Sequence, residues 1–82
     1  MSDSPIVVKG VTVNVTSDDF DDVEILEMVE NGAIPSIMRK VFGAEKYEEV
    51  KKALYDEEAG KTRTSALGEW LDEVMSKVGA KN

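Results

Sequence analysis

The sequence predicts an α+β domain, mostly α, with a β-hairpin or strand at the N-terminus followed by a compact bundle of four helices, the second short. Three observations carry this expectation. Between residues 6 and 16, Val11, Val13 and Val15 alternate with Thr12, Asn14 and Thr16, and period-two β-branched residues mark a half-buried strand. From residue 19 onward the apolar spacing changes to that of helices. The 82 residues leave room for one core only, because a chain this short buries little more than about 60% of its unfolded surface.

Residues 1–5 read as a flexible lead-in ending in Pro5, residues 6–78 as the single globular domain, and residues 79–82 as a loose tail. Lys9-Gly10 offers a tight turn between residues 6–8 and 11–15, although favoured two-residue loops carry Asn-Gly or Asp-Gly. One continuous strand stays open, as does pairing between chains, because a lone hairpin is marginal in water. Ser17-Asp18-Asp19 supplies an N-cap and favourable early acids, placing the start of helix one near Asp19. Its apolar side is broad: Phe20, Val23, Ile25, Leu26, Met28 and Val29, ended by Asn31-Gly32. Pro35 suits the first turn of a short second helix carrying Ile34, Ile37, Met38 and Val41, with Phe42 beside them, up to Gly43. Helix three is expected from Ala44 to Glu57, with Tyr47, Val50 and Leu54 inward and Glu48 four residues before Lys52. A polar loop centred on Gly60 follows, and Thr64 or Ser65 is expected to cap helix four. There Leu67, Trp70, Leu71, Val74 and Val78 form the cleanest amphipathic stripe in the chain.

Composition narrows the function. There is no cysteine and no histidine, which removes disulfides, thiolate sites, thiol nucleophiles and imidazole chemistry. The 17 acids against 10 bases give a net charge of −7, which opposes nucleic-acid phosphates and anionic membranes and suits a basic or helical partner. With no basic n-region and no long apolar run, a cytoplasmic protein is expected. A calcium loop starting at Asp56 fails in register, because glycine falls at position five and Leu67 at twelve. Gly60-Lys61-Thr62 lacks the first glycine of a phosphate loop, since residue 55 is Tyr55. No catalytic residue, metal or cofactor is expected.

Two surfaces remain as candidates. Asp18, Asp19, Asp21, Asp22, Glu24, Glu27 and Glu30 are seven acids with no base among them. They read either as a solvated helix face or as an acidic face that steers a basic partner, with DNA mimicry as the extreme case. The apolar stripes read first as core, with Trp70 a central packing residue. Helices two and four nevertheless carry more apolar side chains than so small a domain has room for. Ile34, Ile37, Met38, Val41, Trp70 and Met75 are therefore the candidate lining of a groove for an amphipathic helix, with methionines supplying adaptability.

The order of features from Asp19 to Met75 resembles the small tail assembly chaperones of long-tailed, non-contractile bacteriophages and related prophages. Residues 27–37, Glu-Met-Val-Glu-Asn-Gly-Ala-Ile-Pro-Ser-Ile, are similar to the family's acidic helix, small-residue turn and short apolar helix. Residues 41–50, Val-Phe-Gly-Ala-Glu-Lys-Tyr-Glu-Glu-Val, resemble its entry into the third helix. Leu54 to Thr62 resembles its aspartate-containing, Gly, basic loop, after which Ala66-Leu67-Gly68-Glu69-Trp70-Leu71 opens the last helix. The resemblance implies a non-enzymatic protein that binds the long helical tape-measure protein, keeps it soluble and helps recruit tail-tube subunits. Weak self-association fits such a role, and no nucleic acid or membrane is expected as partner. The competing expectation is a small acidic adaptor or regulator, including an anti-restriction DNA mimic, binding a basic partner through residues 18–30.

Overall fold

Two short hairpins and four helices make up the computed structural model, which describes residues 5–79. Strands β1 (Ile6–Val8) and β2 (Val11–Val13) pair antiparallel, Val8 opposite Val11 and Ile6 opposite Val13. The β element is thus a hairpin within one chain. Lys9 and Gly10 both have positive φ, 52° and 81°, the combination of a type I′ turn, whose twist matches that of the strands it joins. Gly10 takes this conformation without strain, whereas Lys9 is held there by the pairing on either side. Val8, Val11 and Val13 face inward and are buried, while Val7 and Thr12 face out. Each fully buried valine contributes about 1.5–3 kcal/mol.

Helix one begins later than the expected Asp19. Ser17–Phe20 forms a 3₁₀ turn, closed on itself by the Asp19 carboxylate accepting the Thr16 backbone N–H at 2.8 Å. This turn delivers Phe20 to the core. The chain then extends through Asp22, whose carboxylate accepts the Glu24 N–H at 2.9 Å and so caps α1 (Val23–Glu30). Helix α2 (Ile34–Phe42) starts with Pro35 in its first turn, where a missing N–H costs nothing. It packs on α1, on α3 (Ala44–Ala53) and on α4 (Thr64–Val78), while α4 also packs on β1 and α3 on β2.

Helix α3 stops at Ala53 rather than Glu57, and the expected polar loop contains a second hairpin, β3 (Tyr55–Asp56) with β4 (Lys61–Thr62). Local hydrogen bonds outcompete the helix here. The Asp56 carboxylate accepts the N–H groups of Glu58 and Ala59 at 3.0 and 3.2 Å and the Arg63 Nε–H at 3.2 Å. Gly60, at φ 73°, completes the turn, and the Thr62 hydroxyl donates to the Lys51 carbonyl at 2.8 Å, satisfying a group at the end of α3. Glu48 pairs with Lys51 at 2.9 Å, not with Lys52. Neither Thr64 nor Ser65 caps α4: Thr64 is its first residue, and Arg63 holds the cap position without a side-chain bond. Apart from Pro5 and Gly79, the lead-in and tail expected at residues 1–5 and 79–82 lie outside the described residues.

Trp70 is the centre of the core. Its ring is fully buried and meets the Phe42 ring edge-on at 5.3 Å, and Phe42 in turn meets Phe20 at 6.3 Å. Its indole Nε1–H donates to the Val8 carbonyl at 2.9 Å, across 62 residues of sequence. Trp70→Phe keeps an aromatic ring but removes this bond and leaves unfilled volume, so a loss of about 1–3 kcal/mol is expected in urea denaturation. Trp70→Ala, at about 3–5 kcal/mol, removes much of the roughly 4–12 kcal/mol available to a domain of this size.

The hydrogen bonds at Asp56, first that from Ala59 N–H and then that from Arg63, hold its carboxyl below the ordinary value of 3.8. Its pKa is therefore lower folded than unfolded, and its contribution is complete above about pH 4 and fades as pH falls through the folded value. The Glu58 and Ala59 amide NMR shifts are expected to titrate with a midpoint below 3.8, and Arg63→Ala should move that midpoint upward.

Candidate functional site

Three of the six expected groove residues are interior. Ile37, Met38 and Trp70 are almost fully buried and out of a partner's reach; they hold the helices together, as does half-buried Val41. The groove of helices two and four is thus corrected to a smaller feature displaced toward α1. Ile34 and Met75, both half-buried, face a cleft of about 250 Å³ between the end of α1, the start of α2 and the middle of α4. Val29, Gly32, Gly68 and Leu71 complete its apolar wall, Ile37 contributes only its edge, and Asp72 is its one charged lining residue. Gly68 makes the cleft possible. A β-carbon there would stand 3.3 Å from Ile34 Cδ1, so a side chain at this position would push into the space between α2 and α4.

The residues that sequence reasoning missed lie beside this cleft. In α1 only Ile25 is buried and Met28 is half-buried, whereas Val23, Leu26 and Val29 are 66%, 55% and 48% exposed. At spacings of three, these side chains follow one another along the outer flank of the helix, and Val29 carries the stripe into the cleft wall. Single exposed apolar residues are ordinary, but a contiguous row ending in an apolar cleft is the usual form of an interaction surface. A signal was present in the sequence: five of the eight α1 residues are apolar, too many for one contact face of a two-turn helix.

The seven acids do not form one face. Asp19 closes the 3₁₀ turn and Asp22 caps α1. Asp22 and Glu24 approach Lys40 Nζ at 3.8 and 3.6 Å, on the side of α1 that meets α2. Such half-exposed pairs are worth about 0–1 kcal/mol, yet they hold these acids close to a base. Asp18 and Asp21 are exposed in the turn before α1, while Glu27 and Glu30 are exposed on the helix itself. Glu30 lies four residues after Leu26 and seven after Val23, and so shares the flank of the apolar stripe. Among the described residues no cluster of His, Cys, Asp or Glu is arranged to hold a metal ion, and no helix is long and apolar enough to cross a membrane.

Burial separates structural from surface roles in a direct test. Leu26→Gln, at an exposed helical position, is expected to stay within about 0.5 kcal/mol of the parent in thermal melts. Met38→Gln places an amide in a dry interior and should cost about 3 kcal/mol or more. Comparisons with protein-family models, with curated proteins and with solved structures gave no match for this chain.

Proposed function

We propose that the protein is a non-enzymatic assembly chaperone that binds a helical client, and that the client is the tape-measure protein of a long-tailed, non-contractile phage or prophage. The resemblance described above suggests the client, and one observation supports the mode of binding. The apolar stripe of Val23, Leu26 and Val29 continues into the cleft walled by Ile34, Leu71 and Met75, and an amphipathic helix laid there would cover apolar surface that the fold leaves in water. A contact of this size is modest. Many modest contacts along a long repeating client suit a chaperone that must leave when tail-tube subunits assemble. In this reading the protein acts in the host-cell cytoplasm.

The alternative, an acidic adaptor or DNA mimic acting through residues 18–30, draws less support. Asp19, Asp22 and Glu24 are engaged within the fold, so the stretch does not present an unbroken acidic track.

Co-expression with a tagged helical fragment of the tape-measure protein from the same genome tests the proposal. Capture that survives high salt, and falls at least about tenfold in the Leu26→Gln, Val29→Gln double variant, is expected for an apolar contact. Absence of capture at either salt, or capture that the double variant leaves unchanged, would overturn it.

A further inference from the structure

The one Asn-Gly pair of the sequence, Asn31-Gly32, stops α1. We infer that Asn31 is a site of self-modification, by ring closure of the Gly32 amide nitrogen onto the Asn31 side chain, and that the cap of α1 holds this reaction in check until the end of the helix opens.

The reacting groups belong to adjacent residues, which makes the step intramolecular. Loss of its proton to base turns the Gly32 peptide nitrogen into a nucleophile. It bonds to Cγ of Asn31, the Cγ–Nδ2 bond breaks, and Nδ2 leaves as ammonia with a proton from water. Water then opens the cyclic imide. Attack at Cγ gives aspartate, and attack at the main-chain carbonyl gives isoaspartate, in which the backbone runs through Cβ. Glycine favours the closure because no β-carbon crowds the nitrogen, and both residues are exposed to water and base. Asn14, by contrast, precedes the β-branched Val15.

The fold restrains this reactive pair. Asn31 sits at φ −90° and ψ 0°. At that ψ the Gly32 nitrogen eclipses the main-chain nitrogen of Asn31, whereas ring closure requires it to eclipse Cβ. Gly32, at φ 68°, completes a Schellman cap: its N–H donates to the Val29 carbonyl at 3.1 Å, and the Ala33 N–H donates to the Met28 carbonyl at 2.8 Å. Turning Asn31 to the reactive angle swings Gly32 away and breaks both bonds, so the reaction waits for the cap to open. Such opening is within reach, because α1 has eight residues and buries only Ile25 and part of Met28.

Either product weakens the cap. Isoaspartate lengthens the main chain between its donors and acceptors, and aspartate places a negative charge at a helix C-terminus that already carries Glu27 and Glu30. Gly32 also lies in the wall of the cleft, so the modification alters the shape and charge of that wall.

The test follows the full-length protein in mildly alkaline buffer, folded and in concentrated urea, by mass-spectrometric peptide mapping and by methyl transfer from protein isoaspartyl methyltransferase. Isoaspartate is expected at position 31 in urea, and at least about tenfold more slowly in the folded protein. Asn31→Gln should remove it under both conditions. Asp22→Ala deletes the side-chain cap at the other end of α1 and should speed the folded reaction about two- to thirtyfold while leaving the rate in urea unchanged. Hydrogen exchange at the Gly32 and Ala33 amides reads the same opening without any substitution, and should be slowed by a factor of the same order as the modification.

No isoaspartate at position 31 in urea would overturn the site. Equal rates in the folded protein and in urea, a folded Asp22→Ala variant that reacts no faster than the parent, or slow modification without protection of the two amides would overturn the cap as its gate.

Discussion

The bond from the Trp70 indole to the Val8 carbonyl joins the first strand to the last helix, and the rest of the molecule is arranged around the ring that makes it. A hairpin of two three-residue strands is marginal at best in water. It persists because Val8 and Val11 are buried in the same core as an indole that also supplies a hydrogen bond across the β1 and α4 contact. The edge-on contacts from Trp70 to Phe42 and from Phe42 to Phe20 extend that anchor through α2 to the 3₁₀ turn. One side chain thereby ties together elements from both ends of the chain. All buried side-chain nitrogens and oxygens among the described residues have partners, so the core carries no uncompensated polar cost.

A core built in this way is already full, and the surface follows from that. Trp70, Met38, Ile37, Val50 and Val74 occupy the interior, which leaves α1 able to bury Ile25 and part of Met28 only. At eight residues, α1 is well below the about 12–15 at which a helix becomes even marginally stable alone. It is held by the Asp22 cap, by contact with α2 and by the ion pairs to Lys40. Its remaining apolar side chains face water beside a cleft kept open by Gly68. The packing limit of a small domain thus produces the surface on which the proposed function depends.

The acidic stretch is divided by the same geometry. Acids at positions 19 and 22 shape the backbone, since each accepts an amide hydrogen and sets where a turn closes or a helix begins. Glu27 and Glu30 remain on the exposed part of α1 and give the adjoining apolar stripe a sign. Residues adjacent in sequence therefore play unlike parts, and a count of charges along the chain does not separate them.

The sequence by itself determined the period of each major element and the single core, because alternation in residues 11–15 and the stripe from Leu67 to Val78 are local patterns with one structural solution. It also supplied the helix stops at Gly32 and Gly43. It did not determine where α1 begins or α3 ends, since side-chain bonds of Asp19, Asp22 and Asp56 to nearby amides compete with helical ones and depend on the surrounding packing. Nor did it separate Met38 from Met75, or Ile25 from Leu26: all four are apolar residues on helices, and their spacing fits an inward face equally well. Only the tertiary structure decided which of them met a neighbour and which met water, because exposure is set by how much interior the four packed helices and the N-terminal hairpin leave, and no local pattern of residues encodes that volume.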